Sequence, residues 1–311
     1  MKLVVDDRVD DRDGVVVLTL RHPRKPRLPA WRGGAHVDMH LPDGKIRQYS
    51  LCGDPGDRTV YRIAVQKESA GRGGSCWIHD HVCRGDIVHL SAPRTNFALH
   101  DGARRHVFVA GGIGVTPLLA MARQARHRGD DFIFHYCAAR RERAALLTEV
   151  DSVAGDRLRT YFSDEQRLDV KTLFEGRTTD DHTHLYGCGP ARLTDAIRDA
   201  AHDAGWPEER VHFEVFQPPL DDDFKPEPFE VVVASSGERV PVPADRTALS
   251  VLRDHGYSMP SSCELGVCGA CICEYRDGQV IHRDSVLSLA DRQHRMTPCI
   301  SRARCRVTLD I

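Results

Sequence analysis

Cys263-Glu264-Leu265-Gly266-Val267-Cys268-Gly269-Ala270-Cys271 sets three cysteines four and two residues apart, and a fourth, Cys299, follows at a distance. This is the spacing of a plant-type 2Fe-2S site, in which a tight loop wraps three thiolates around the cluster and a remote cysteine completes one iron. Gly266, Gly269 and Ala270 suit a loop that must come close to sulfide with unusual dihedrals. A zinc site would favour paired Cys-x2-Cys knuckles, and only Cys268 and Cys271 form one. Cys273 and Cys305 fall on alternating strand patterns and are set aside as ligands.

Around this loop, Phe229 to Pro243 reads as a hairpin, Thr247 to Gly256 as a short helix closed by glycine, and Arg304 to Ile311 as a last strand. Residues 217–228, QPPLDDDFKPEP, carry four prolines and no periodicity, so they read as an exposed linker; Asp221 to Asp223 could also be a docking patch. Further upstream, HVFVAGG, DFIFHYCA and HTHLYGCG are apolar runs, each followed by a helical stretch. Such alternation indicates a parallel sheet covered on both faces. Residues 1 to about 98 instead alternate short β-rich runs with turns, among them Asp43-Gly44, and predict a small antiparallel barrel.

Two glycine turns end strands of the α/β region. AGGIGVTP (residues 110–117) opens a helix and could admit a pyrophosphate, although a purely structural turn would look the same. YGCGP (186–190) places Cys188 at the carboxyl edge of the sheet, where ligands of open α/β sheets sit, or where a small buried thiol would serve. In the barrel, Arg47 of RQYSL could fork onto a phosphate, Tyr49 could stack on a flat ring, and Ser50 could donate to a ring nitrogen. Equally, Tyr49 could be core and GRGGS (71–75) a plain loop.

Composition excludes more than it selects. At 311 residues the chain can hold two or three cored domains, and a net charge of −2 offers no nucleic-acid surface. The first residues meet charge by Asp6, and no stretch reaches the roughly 18 apolar residues of a membrane span. A cytoplasmic protein is expected, whose eleven cysteines are thiols or metal ligands rather than disulfides.

In order, RQYSL, GRGGS, APRTNF, GGIGVTP, YGCGP and CELGVCGAC resemble the phthalate dioxygenase reductase family, including vanillate demethylase reductases, over essentially the whole chain. The resemblance implies a flavin β-barrel over 1–100, an α/β nicotinamide domain over 101–220, a linker over 221–228 and an α+β, β-grasp ferredoxin domain over 229–311. It implies FMN rather than FAD, held by Arg47, Gln48, Tyr49 and Ser50, by Val65, Gln66 and Lys67, and by Gly73, Gly74 and Ser75, with Thr116 near the ring. Gly111, Gly112, Gly114, Cys188, Gly189 and Pro190 would surround the nicotinamide nucleotide, and Phe216 would lie near the flavin face. Ser50, Thr116 and Cys188 would position the hydride transfer, and Cys263, Cys268, Cys271 and Cys299 would hold the cluster.

The implied donor is NADH, although Arg140, Arg141 and Arg143 after the second α/β strand could meet the 2′-phosphate of NADPH. The implied acceptor is a Rieske-type non-haem iron oxygenase, with a cytochrome P450 as the alternative. A reduced nicotinamide gives up two electrons together and the cluster takes one at a time, so a flavin is needed between them. A different class remains open at this stage: a zinc-stapled, nucleotide-binding regulatory protein.

Overall fold

Alternately buried side chains build the first sheet from β1 (Lys2–Asp10), β2 (Val15–Arg21), β3 (Ala35–His40), β4 (Ile46–Ser50), β5 (Val60–Gln66), β6 (Ile87–Leu90) and β7 (Arg94–Thr95). All its pairings are antiparallel, in the order β4-β3-β6-β1-β2-β5, with β7 beside β3. Its two ends meet at a Leu51–Ile63 bridge, which curls the sheet around Leu18, Leu20, Val37, Met39, Tyr61 and Ile63. Tyr61 keeps its hydroxyl satisfied by donating to the Pro29 carbonyl at 2.7 Å. The turn at Asp43-Gly44 does join β3 to β4, with Gly44 at φ +79°.

A helix unexpected from its glycines, α1 (Gly74–His81), follows the GRGGS turn. Burial of Ile78 and packing of Trp77 on the barrel core outweigh the poor helix propensity of its first residue. Gly74 is required there because a Cβ would overlap the Arg47 side chain.

Five parallel strands form the second sheet: β8 (Arg105–Gly111), β9 (Asp131–Ala138), β10 (Leu158–Phe162), β11 (Thr183–Cys188) and β12 (Val211–Glu214). Their order is β10-β9-β8-β11-β12, so the winding direction reverses between β8 and β11. Helices α2 (Val115–Arg128), α3 (Leu147–Ala154) and α4 (Ala191–Asp203) make crossovers, and α2 ends at Gly129 in the left-handed conformation. The expected helix over Arg141 to Val150 is broken. A 3-10 turn at Arg141–Arg143 precedes Leu146 at φ +55°, whose N–H donates to Asp11 Oδ2 at 2.7 Å, and only then does α3 start.

The barrel and this sheet belong to one compact unit, Met1–Glu214. Arg62 on β5 and Arg123 on α2 both grip Glu149 on α3, at 2.7 and 2.5 Å. Gly33 lies so close to the α2 backbone at Met121 that a Cβ would overlap it.

The second unit, Val215–Ile311, holds a third sheet: β13 (Phe229–Val233), β14 (Arg239–Val242), β15 (Cys273–Ile281), β16 (Arg295–Met296) and β17 (Arg302–Asp310). Its order is β14-β13-β17-β15-β16, with β13 and β17 parallel. Helix α5 (Ala248–Asp254) buries Leu249 and Leu252 in the core it shares with the sheet, and Thr247 caps it by accepting from Ser250 N–H at 3.1 Å. The long final strand joins the first hairpin to β15, the β-grasp arrangement expected from sequence.

The computed structural model describes residues 1–12, 14–175, 182–216 and 223–311. The linker expected over 221–228 and the Asp221–Asp223 run lie partly outside these. Among the described residues no helix is long and apolar enough to cross a membrane.

Candidate functional site

The carboxyl ends of β8 and β11 lie side by side at the point where the sheet reverses, the place where open α/β sheets bind ligands. Here the two glycine turns cross almost in backbone contact. A Cβ on Gly114 would overlap the Cys188 carbonyl, one on Gly189 would come within 2.8 Å of Gly111 Cα, and one on Gly111 within 2.7 Å of Pro190 Cδ. These three glycines are therefore committed to the crossing of the protein's own backbone. Gly112 differs: it sits at φ +53° and a Cβ there would meet nothing within 4 Å, so its open side is available to a ligand. Tyr136 pins the same turn by donating toward the Gly112 carbonyl at 3.2 Å and the Ala145 carbonyl at 2.7 Å.

Across from this edge the barrel contributes Ser50. Its hydroxyl donates to Glu214 Oε2 at 3.4 Å, and Glu214 is the last residue of β12. Burial raises the Glu214 carboxyl to about 8, with the Ser50 hydrogen bond opposing the rise. Cys188 is buried, and the same desolvation, reinforced by the negative field of Glu214, pushes its thiol well above the usual range. Ser50, Cys188 and Glu214 thus form a cluster whose two ionisable members are pushed toward their neutral forms by burial. Sequence reasoning named the first two and passed over Glu214, a single glutamate within VHFEVF. Thr116 is buried on α2 and spends its proton on the Ile113 carbonyl at 3.0 Å, which leaves its oxygen as an acceptor.

Further along the barrel, Arg47 crosses the start of α1. It donates to the Ile46 carbonyl at 2.8 Å and the Arg72 carbonyl at 2.9 Å, so its guanidinium lies beside Gly73 and Gly74. Ser75 Oγ accepts from Glu68 N–H at 2.9 Å. Tyr49 is half-buried against the barrel core and Gln48 is half-buried on the same strand. Val65 is fully buried, and its carbonyl is already engaged by His79 Nε2 at 2.8 Å. Gln66 ends β5, and the Lys67 ammonium is paired with Asp80 at 2.8 Å. Phe216 follows Glu214 by two residues and belongs to the second unit.

In that second unit the four predicted thiols meet as two pairs. Cys263 and Cys268 interact side chain to side chain, as do Cys271 and Cys299. Within each pair the shared hydrogen bond lowers one thiol and raises the other: Cys263 and Cys271 are lowered, with help from loop N–H groups, and Cys268 and Cys299 are raised. Two thiolates per iron is what a two-iron cluster requires. The loop also supplies N–H groups aimed at sulfur, from Leu265 to Cys263 Sγ at 3.3 Å and from Ala270 to Cys268 Sγ at 3.4 Å. Gly266 and Gly269 both adopt φ +72°, and Cys263, Cys271 and Cys299 are buried. The donor set, the pairing and the sulfur-directed amides fit the cluster. Cys273 lies on β15 with burial raising its thiol to about 12, and Cys305 is exposed on β17.

A barrel abutting an open nucleotide-type sheet, together with a loop of paired thiols, defines an electron-transfer reductase of the nicotinamide, flavin and iron–sulfur class. Residues 231–304 match the 2Fe-2S iron-sulfur cluster binding domain family. The chain is 41% identical to the heme-dependent oxidative N-demethylase beta subunit of Ectopseudomonas mendocina, covering 88% of this chain and 87% of that protein. It is also 41% identical to the vanillate O-demethylase oxidoreductase of a Pseudomonas species, covering 89% of each. Among solved structures, phthalate dioxygenase reductase superposes with a TM-score of 0.79 at 34% identity, over 100% of this chain and 98% of that one. An intact type IV self-sufficient cytochrome P450 monooxygenase superposes with a TM-score of 0.84 at 39% identity, over 100% of this chain and 41% of that one. The chain belongs to the phthalate dioxygenase reductase family and is a flavin- and iron–sulfur-dependent oxidoreductase that draws electrons from a nicotinamide.

Proposed function

We propose that this protein is the NADH-dependent, FMN-containing reductase of a multicomponent oxygenase, and that its electrons leave singly through the 2Fe-2S cluster to a Rieske-type non-haem iron oxygenase. The observation that carries this reading is the presence on one chain of the paired-thiol loop with its sulfur-directed amides and of Ser50 in contact with Glu214, beside Cys188, at the switch point. When bound, the nicotinamide supplies hydride, the flavin converts a two-electron input into one-electron outputs, and the cluster carries the electrons onward. The domain limits follow the same division: flavin over 1–100, nicotinamide over 101–220, linker over 221–228 and cluster over 229–311.

The chain's own groups bind and orient. Arg47, with Gln48, Tyr49 and the start of α1 at Gly73, Gly74 and Ser75, holds the flavin phosphate and one edge of its ring; Val65, Gln66 and Lys67 line the adjoining strand end. Gly112 offers its open side to the nucleotide, while Gly111, Gly114, Gly189 and Pro190 set the depth of the cleft by packing on one another. Thr116 offers an acceptor. Ser50 and Glu214 hold a proton between them, and a neutral Glu214 avoids placing a charge where hydride, which carries negative charge, must pass. No general base is needed, because the protein sets distance and orientation.

Anaerobic titration with NADH, followed by electron paramagnetic resonance, tests the scheme: flavin and cluster signals should appear together in one sample. Acid extraction and mass measurement of the flavin should return FMN. A second reading, a haem-protein acceptor such as a cytochrome P450, is favoured by the haem-dependent relative and by the P450 fusion. Turnover with purified acceptors of both kinds separates the two.

A further inference from the structure

Behind the cluster loop, Asp284 has a side chain with no solvent exposure, and its surroundings are charged. Its Oδ2 accepts from the N–H groups of Val286 at 3.2 Å and Leu287 at 2.8 Å, which folds residues 284–287 into a rigid turn. Arg292 donates to the Asp284 carbonyl at 2.7 Å and lies 3.7 Å from Oδ2. His282 Nδ1 faces Oδ1 at 3.6 Å, while its Nε2 meets the Arg292 carbonyl at 3.0 Å. Asp284 Oδ1, His282 Nδ1 and Arg292 Nε are buried with no hydrogen-bond partner among the described residues. Leaving a carboxylate this poorly compensated is costly, so the group is not explained by stability alone.

The turn that Asp284 organises is the wall against which the cluster loop rests. Ser285 N–H donates to the Gly266 carbonyl at 3.1 Å, and a Cβ on Gly266 would come within 3.1 Å of Asp284 Cα. Gly266 in turn points its N–H at the sulfur of Cys299. Two levers on a cluster's potential therefore run through one residue: the hydrogen bonds reaching its sulfurs and the net charge around it.

We propose that Asp284 is a positioning residue for the cluster loop and that, with Arg292 as its counter-charge, it sets the cluster's reduction potential. The inference rests on the 2Fe-2S assignment. A buried carboxylate beside the loop stabilises the oxidised cluster and the Arg292 guanidinium opposes it, so removing each charge moves the potential in opposite directions.

The test is redox titration of the full-length holoprotein, monitored by the electron paramagnetic resonance of the reduced cluster, with iron and sulfide content measured on each sample. Asp284→Asn, which keeps an acceptor for Val286 and Leu287, should raise the midpoint potential. Arg292→Gln, whose side chain is one-third exposed and so tolerates change, should lower it. Arg292→Lys should stay near wild type, and the Asp284→Asn/Arg292→Gln double variant should return toward it. Cluster-loaded variants with unchanged potentials, or Arg292→Gln moving upward, would overturn the proposal. Should Asp284→Asn fail to load, the Arg292 pair decides alone. A sample with neither iron nor sulfide in the wild type would instead refute the cluster assignment itself.

Discussion

The two glycine-rich sites of this protein use glycine for opposite ends. In the cluster loop, Gly266 and Gly269 take left-handed dihedrals so that the chain can turn its cysteines and amides inward on a ligand. At the switch point, Gly111, Gly114 and Gly189 give up their side chains to the close crossing of the two turns, against Pro190, Cys188 and Gly111 in that order, and Gly112 alone of that set keeps an open face. A glycine turn in a sequence is thus strong evidence for a ligand when chemically committed residues sit inside it. Without them it reports only that two backbones come close.

The largest expected effect sharpens the contrast at the thiol end. Cys263→Ser should abolish reduction of a ferredoxin-type acceptor and leave NADH-to-dye reduction by the flavin intact, measured as two steady-state assays on one preparation. Equal loss of both activities would contradict the division of labour.

Next come the crossing glycines. Gly114→Ala should cost about 3 kcal/mol, because the new methyl overlaps backbone rather than a movable side chain. Gly112→Ala should cost only about 1 kcal/mol, for its positive φ alone, while weakening nucleotide binding. Urea midpoints and nucleotide titrations of the pair check both, and reversal of the order would break the comparison.

Glu214 predicts a pH dependence of smaller size. A carboxyl raised to about 8 in the fold keeps its proton there and loses it when unfolded, so its contribution to stability is full below the ordinary carboxylate range and is lost as pH rises to about 8. His36, His184 and His212 are held down at about 4 by burial and His106 is lowered too, so while the unfolded chain's imidazoles lose their protons, up to about pH 7.5, these groups oppose that decline. The thermal midpoint of Glu214→Gln should therefore gain on that of wild type as pH rises from about 6.5 to 8, a difference in which the histidine contributions cancel. Smallest of all, Thr247→Ala should cost about 0.5 kcal/mol, the low end for an exposed cap, by removing the α5 cap, with cluster content unchanged.

Much of the architecture was legible because its signals are local. Apolar runs followed by amphipathic stretches marked β8, β9 and β11 with their helices, and alternating runs marked the barrel. The misses share a cause: α1 forms on a glycine start because the barrel core buries Ile78, and the helix over Arg141 to Val150 breaks because Asp11, far away in sequence, captures the Leu146 amide. Glu214 escaped notice because a single glutamate in VHFEVF carries no pattern. Its meaning appears only when Ser50, 164 residues earlier, reaches it.

The sequence by itself singled out Cys263, Cys268, Cys271 and Cys299, since their type and spacing suit the ligand geometry of a plant-type cluster. The tertiary structure alone decided which glycines serve the backbone and which keep an open side, and why burial raises a glutamate. It also decided which buried aspartate lies behind the cluster loop. Each of these depends on desolvation and close approach between segments distant in sequence, and those are properties of the folded interior.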